Sequence, residues 1–197
     1  ERLAAACELL ILDLPPEEAR AILARVDPEH GPCTVVITPH GMDGPYEGRI
    51  ENDLSLFAWS TRAHRHSIRG REPLRYAPFV AMAQVGSTAA AVGIASVWGR
   101  RLDGRRRDAE IAAVEAITGN VDTSFFLWAV NGAVQPRTGG QSHAMYPAGA
   151  WPCRDGYMIF SAGREPFFSR VCEAIGKPEL ARDPRFTDPQ QKPLHFE

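Results

Sequence analysis

The stretch that decides the fold runs from Phe79 to Arg107 and reads FVAMAQVGSTAAAVGIASVWGRRLDGRRR. Its first two thirds are apolar and rich in alanine, the residue with the highest helix propensity. The pattern predicts one helix from Ala83 to Trp98, with small residues on nearly all sides. A helix without a polar face is usually buried, and small side chains let backbones approach closely. Because the stretch is short and interrupted by glycine, it predicts a core helix and not a membrane span.

A group of arginines follows this predicted helix. They flank the turn residues Asp103-Gly104, and they are Arg100, Arg101, Arg105, Arg106 and Arg107. Cations near a helix C-terminus interact favourably with the helix dipole. Two interpretations stay open at this point, because the same arginines fit either a solvated basic turn or an anion site.

The composition is typical of a globular protein with one domain or two small ones. Of the 197 residues, 44% are hydrophobic and 23% are charged, and the net charge is −2. That charge argues against a nucleic-acid binder that uses its whole surface. The sequence shows no signal peptide and no run of eighteen apolar residues. We therefore expect a cytoplasmic protein with neither nucleic acid nor membrane as a partner.

The cysteines and histidines do not indicate a metal site or a disulfide framework. Cys7, Cys33, Cys153 and Cys172 are far apart and form no CxxC pair, so they read as reduced thiols. The histidines of the segment His64-Arg65-His66 lie in a polar stretch, where no further metal ligands are evident. We expect no bound metal.

Before the alanine-rich stretch, the sequence predicts a β-α-β unit. Glu8–Asp13 and Thr34–Thr38 have the length and apolar character of buried strands, and Pro15-Pro16-Glu17-Glu18 opens a helix between them. Such a unit is normally parallel and right-handed. Its second strand leads into Pro39–Tyr46, where Gly41 and Gly44 permit either a tight turn or a backbone close to a ligand. In open α/β sheets, ligands bind at the carboxyl ends of the strands.

The remaining segments complete a two-part organisation. We expect an α/β fold: a Rossmann-like parallel sheet in residues 1–137 with linker helices, and a smaller α+β domain in residues 138–197. The boundary falls in the segment Gln135–Pro152, which is rich in glycine and proline. The other expected elements are a helix at Leu54–Ala58, a polar loop at Ser60–Tyr76, a strand or helix start at Asp108–Ile117, a buried helix at Val121–Val130, a strand at Gly156–Ser161 and an amphipathic helix at Glu165–Ile175.

Several short motifs, taken in order, resemble one family. They are Gly41-Met-Asp-Gly-Pro-Tyr46, Asn52-Asp53-Leu54 with Ala58, the small-residue helix Gly93 to Gly104-Arg105, Gly139-Gly140-Gln141, and Asp155-Gly156-Tyr157 with Gly176 to Phe186. In this order the chain resembles family III CoA-transferases, which include formyl-CoA transferase, carnitine CoA-transferase and α-methylacyl-CoA racemase. Members are about twice as long, so the resemblance implies a middle fragment.

The resemblance also implies a reaction and a set of site residues. In the family, an aspartate at the start of the small-residue helix attacks an acyl-CoA thioester and forms an anhydride and then an aspartyl-CoA thioester. The corresponding position here is Met82, Ala83 or Gln84, none of which is a carboxylate. In the racemase branch, a histidine corresponds to Asn52, and a glutamate of the small domain corresponds to Glu165. Asp53 and Glu165 are therefore the catalytic candidates.

The resemblance further implies coenzyme A, or an acyl-CoA, as substrate and no bound cofactor. The candidate CoA-binding residues are Gly41, Gly44, Arg105, Arg106, Gly139 and Gly140. Replacing Arg105 and Arg106 with alanine is expected to weaken CoA binding and to reduce its salt dependence.

Two functional hypotheses stay open. The segment is part of an active CoA-transferase or acyl-CoA racemase, or it is the non-catalytic half of a tandem protein and contributes architecture or CoA-ester binding. The resemblance implies an interlocked homodimer or a tandem partner domain. A nicotinamide dehydrogenase is disfavoured, since no GxGxxG follows a strand.

Overall fold

The computed structural model describes residues 6–119, 123–134, 136–137, 139–140, 147–188 and 191. By their contacts, Glu1–His64 and Leu74–Gln135 form a first unit, and Arg65–Pro73 and Pro136–Glu197 form a second. The helices are α1 Pro16–Leu23, α2 Asp53–Trp59, α3 Arg62–Arg65, α4 Val80–Asp103, α5 Ala113–Thr118, α6 Thr123–Asn131, α7 Phe167–Ala174 and α8 Pro184–Thr187, with a 3-10 helix at Pro178–Arg182. The strands are β1 Leu9–Asp13, β2 Cys33–Thr38, β3 Asp108–Ala112, β4 Ala148–Cys153 and β5 Gly156–Ser161.

The first unit contains the parallel sheet that the sequence predicts. Its strands lie in the order β1-β2-β3, with Ile11 opposite Val35 and Ile37 opposite Ile111. Parallel strands are normally covered on both faces, which explains why β2 is an almost continuous buried run. The expectation of an α/β fold with a Rossmann-like parallel sheet and a smaller α+β part is confirmed.

Two apolar clusters cover this sheet. The larger one joins strand residues to three helices and consists of Val35, Leu56, Ala81, Val85, Ala89, Ile111, Ala113 and Ile117. The smaller one is formed by Leu12, Val36 and Ala19, the last of which lies on α1. Each fully buried aliphatic side chain of this kind contributes about 1.5–3 kcal/mol relative to an exposed one. Burial therefore fixes the positions of α1, α2, α4 and α5 around the strands.

Helix α4 is longer and less buried than the sequence predicts. It spans 24 residues, and its buried residues lie along one side. Ile94, Trp98 and Leu102 are 69%, 62% and 73% exposed. The expectation of burial on all sides was wrong, because absence of a polar face does not determine what packs there. By length and composition α4 also meets the criteria for a membrane span, with a mean hydropathy of 1.5, but a core helix meets the same criteria.

Glycine at two positions of α4 has different surroundings. A Cβ added at Gly93 would lie 2.7 Å from Leu9 Cδ2, whereas one added at Gly86 would meet no atom within 4 Å. Small residues thus let α4 approach β1 closely, as the sequence indicates.

These two glycines give a matched pair of substitutions. Gly86→Ala is expected to raise the free energy of unfolding by about 0.5–1 kcal/mol, because alanine is the better helix former. Gly93→Ala makes the same gain in propensity but forces Leu9 to move, so we expect it to be about 1–2 kcal/mol less stable than Gly86→Ala. Urea denaturation of both variants measures the difference. Equal gains would show that α4 and β1 are not in close contact.

One expectation about another element needs correction, and one strand was not predicted. The apolar segment at Val121–Val130 was expected to be a buried helix; of it, the structure describes residues from 123 onward, as α6. Phe125, Phe126 and Trp128 are 51%, 63% and 63% exposed there. The glycine- and proline-rich segment Gln135–Pro152 contains the start of strand β4, which pairs antiparallel with β5. Proline is tolerated at a sheet edge, so Pro152 does not prevent strand formation.

Candidate functional site

The strand-end loop, residues 39–46, follows β2 at the carboxyl edge of the sheet. The Gly41 amide donates to Thr38 Oγ1 at 2.9 Å, and the Met42 amide donates to the carboxylate of Glu110 on β3. Gly41 has a φ of 105° and Gly44 a φ of 100°, a region that favours glycine. The loop is thus a tight turn anchored to two strands, and contact of Gly41 and Gly44 with CoA stays a prediction.

Helix α1 anchors the same loop from the other side. Arg20 donates to the Met42 carbonyl and forms an ion pair with Glu47 at 2.5 Å. The hydrogen bond from Arg20 to Glu47 also raises the pKa of the guanidinium. The strand-end loop is therefore held by side chains from α1 and β3.

Asp53 lies at the meeting point of α2 and α4. Asn52 caps α2, accepting from the amides of Leu54 and Ser55. Asp53 Oδ1 accepts a hydrogen bond from the Met82 amide at 3.4 Å. Helix α4 has no side-chain cap of its own at Phe79. A carboxylate from α2 thus supplies an acceptor to the first turn of α4.

This contact brings a catalytic candidate to Met82, which is one of the three positions that the resemblance gives for the nucleophile. Sequence reasoning assigned Asp53 to a separate motif, and the structure brings it to Met82. Of the three positions considered for the nucleophile, Met82 packs against the larger core cluster, Ala83 is exposed, and Gln84 Oε1 accepts from Arg62 at 3.0 Å. The same side of α4 presents an open surface, which is formed by Val80, Ala83, Gln84, Ser87, Thr88, Ala91 and Val92.

Sequence reasoning did not identify a buried hydrogen-bonded pair beside this site. His40 Nε2 lies 2.9 Å from Glu51 Oε1, and both side chains are 4% exposed. Arg49 Nε lies 2.9 Å from the same carboxylate oxygen. Hydrogen bonds from Ser55 and His40, together with the charge of Arg49, hold the pKa of Glu51 below its ordinary value. A histidine directly after a buried strand and a glutamate just before a helix cap are the sequence signals that could have indicated this pair.

The arginines in the last turn of α4 and directly after it lie at the opposite, amino-terminal edge of the strands. Arg106 Nε donates to Asp108 Oδ1 at 3.0 Å, and that carboxylate also accepts from the Thr34 hydroxyl at 2.7 Å. Arg101 pairs with Glu8, and Arg107 pairs with Asp103 and lowers the pKa of that carboxyl. For most of these arginines, the contacts therefore favour a basic turn over an anion site. Binding of CoA phosphates by Arg105 and Arg106 stays a prediction.

Arg105 and Arg106 differ in exposure, so their substitutions are expected to have different effects. Arg106 is only 10% exposed at its side chain and joins two elements, so Arg106→Ala is expected to lower the free energy of unfolding by about 1–3 kcal/mol. Arg105 is exposed, and Arg105→Ala is expected to change it by less than about 0.5 kcal/mol. Calorimetric titration of Arg105→Ala with CoA at two salt concentrations then measures how much Arg105 contributes to phosphate binding, in a variant that keeps its structure. Unchanged affinity and salt dependence would contradict a phosphate-binding role.

The other predicted residues lie in the second unit. Glu165 Oε2 accepts from the Ser169 hydroxyl at 2.7 Å at the start of α7. The Gly139 amide donates to the Ser67 carbonyl at 3.2 Å, and a Cβ added at Gly139 would lie 2.8 Å from Ile68 Cγ2. Gly139 is therefore packed against Ser67 and Ile68, whereas a Cβ added at Gly140 would meet no atom within 4 Å. The other member of that loop motif, Gln141, lies outside the described residues.

Among the residues that the structure describes, no group of three or more His, Cys, Asp and Glu side chains is placed to hold a metal ion. The four cysteines are all described and form no disulfide; Cys33 and Cys172 are buried, and Cys7 and Cys153 are exposed.

Comparison with known proteins gives consistent results. The family described as CoA-transferase family III matches residues 33–196. The succinyl-CoA–D-citramalate CoA-transferase of Chloroflexus aurantiacus is 27% identical over 113 residues, which are 56% of this chain and 28% of that protein. The acetyl-CoA:oxalate CoA-transferase of Acetobacter aceti is 27% identical over 97 residues, which are 49% of this chain and 25% of that protein.

Solved structures support the fold. A CAIB/BAIF family protein from Brucella suis superposes with a TM-score of 0.75 at 20% identity, covering 98% of this chain and 52% of that one. A hypothetical protein from Mycobacterium tuberculosis superposes with a TM-score of 0.79 at 19% identity, covering 99% of this chain and 53% of that one. The chain thus spans about half the length of these structures, and the curated relatives are matched over less of theirs. Because the family match extends over most of the sequence, the chain belongs to CoA-transferase family III.

Proposed function

We propose that the protein containing this chain transfers CoA between carboxylic acids, with acyl-CoA thioesters as substrates. The observation that carries the proposal is the match to CoA-transferase family III over residues 33–196. The CoA-transferase names of two relatives support the same reaction class. Coenzyme A takes part as substrate and not as a resident cofactor.

Within that protein, this segment contributes architecture and CoA-ester binding and not the attacking carboxylate. The family reaction needs an ionised carboxylate that forms an acyl anhydride and then a thioester. Met82 and Ala83 carry no such group, and an amide such as Gln84 is not an ionised nucleophile. Gln84 is moreover paired with Arg62. The nucleophile would come from another part of the protein, such as a tandem partner domain.

A second candidate function is acyl-CoA racemisation or isomerisation with Asp53 as the acid or base. The contact of Asp53 with the first turn of α4 favours it, because the racemase branch handles the α-proton near this point. Two features weigh against it. Asn52 stands where that branch has histidine, and Asp53 has a structural task as the cap of α4.

Covalent trapping tests the proposal. The full protein is incubated with an acyl-CoA and hydroxylamine, which converts an acylated or CoA-bound carboxylate into a hydroxamate, and the mass change is mapped by peptide. We expect acyl-CoA binding by calorimetry and no adduct within residues 1–197. A hydroxamate at Asp53 or Glu165 would assign the chemistry to this segment, and absence of acyl-CoA binding would contradict the proposed function as a whole.

A further inference from the structure

The buried pair of His40 and Glu51 joins two of the elements that build the candidate site. His40 lies two residues after β2, in the strand-end loop, and Glu51 lies two residues before Asp53. Their contact at 2.9 Å thus connects the carboxyl edge of the sheet to the N-terminus of α2. The loop between them reaches the surface, since Ile50 is 93% exposed.

The pair is surrounded by aromatic rings and a guanidinium group. The His40 ring lies 5.5 Å from the Tyr46 ring and 5.3 Å from the Trp59 ring, and these two rings lie 5.2 Å apart. The guanidinium of Arg49 sits 4.9 Å from the centre of the Trp59 ring and also binds Glu51. The loop, the start of α2 and the end of α2 therefore meet around one imidazole.

Burying two polar side chains costs solvation, and the hydrogen bond between them offsets part of that cost. Leaving either partner buried without the other is costly, so arrangements that separate the two side chains are disfavoured. We infer that His40 is a positioning residue, which holds the N-terminus of α2 through Glu51 and thereby sets the place of Asp53 against the first turn of α4. The functional meaning of this placement rests on the proposed function, but the placement itself does not.

The inference is tested by local readouts that need no activity. His40→Phe keeps an aromatic ring and removes the donor to Glu51, whereas His40→Gln keeps a donor. Leu12→Ala, in the smaller core cluster against which Met42 of the loop packs, serves as a control that loses core packing but keeps both His40 and Glu51. The measurements are hydrogen exchange at the Met82 amide and labelling of Asp53 by a carbodiimide with an amine, compared at equal global stability.

We expect His40→Phe to increase exchange at the Met82 amide by about tenfold over the Leu12→Ala control, because the opening is local, and to increase labelling of Asp53. His40→Gln should return both close to the unsubstituted values. Equal exchange in His40→Phe and Leu12→Ala would overturn the inference. If His40→Phe does not fold, Glu51→Ala takes its place, with Glu51→Gln as the conservative variant. Binding of acyl-CoA by the full protein is measured separately by calorimetry. If it does not bind, the proposed function fails, but the exchange and labelling results still test the role of His40.

Discussion

Replacing Ala83 with aspartate is expected to give this segment a carboxylate that acyl-CoA modifies covalently. Ala83 is exposed on α4, so the new side chain reaches solvent without disturbing the core. A negative charge in the first turn is also favoured by the helix dipole. In the presence of acyl-CoA and hydroxylamine, peptide mass spectrometry should detect a hydroxamate at residue 83 where the unsubstituted chain gives none.

Two controls separate the chemistry from its background. Ala83→Asn has the same shape without the charge, and Ala90→Asp places a carboxylate at another exposed position of α4. Neither should form an adduct. A variant that binds acyl-CoA but stays unmodified at residue 83 would show that more than the nucleophile is missing. Gln84→Asp is the companion substitution, and it also releases Arg62 from its present hydrogen bond.

Replacing Phe57 with alanine is expected to produce the largest loss of stability. Phe57 is 2% exposed on α2, and its ring lies 4.6 Å from that of Tyr76. Removing a buried phenylalanine costs about 3–5 kcal/mol, through lost transfer energy and the cavity left behind. This is a large share of the roughly 5–15 kcal/mol that stabilises a typical domain. Phe126→Ala on α6 is the matched control; its ring is 63% exposed, and we expect a change below about 0.5 kcal/mol.

Urea denaturation of the 197-residue chain measures both variants. A small effect at Phe57 would contradict the packing of α2. A large effect at Phe126 would show that another surface covers α6.

Local signals in the sequence predicted the β-α-β unit well. A run of β-branched residues such as Val35, Val36 and Ile37 is typical of a buried strand, and proline with glutamates marks the start of α1. Burial was harder to predict. The apolar character of α6 is a property of the segment alone, whereas its exposure depends on what packs against it. The Gly and Pro residues of β4 concealed a strand, because its pairing with β5 overrides their low propensity.

For the candidate site too, the local motifs could be predicted from the sequence, whereas the contacts between elements could not. The sequence identified Asp53 and the region 82–84 separately, each from a motif. Their contact results from the packing of α2 on α4, and no local pattern carries it. The positions of His40 after β2 and of Glu51 before the cap of α2 could be read from the sequence, but the contact between their side chains could not.

The assignment of Arg65–Pro73 to the second unit affects how the chain can be divided. The chain passes between the two units at His64-Arg65, at Pro73-Leu74 and at Gln135-Pro136. Arg137 bonds the Arg71 carbonyl at 2.5 Å, so a truncation at Gln135 removes a partner of this loop. Neither unit is a single continuous piece of sequence. A polypeptide of residues 136–197 alone would therefore lack the part of the second unit that Arg65–Pro73 supplies. After a protease cut near Pro136, Arg65–Pro73 would still be linked covalently to the first unit.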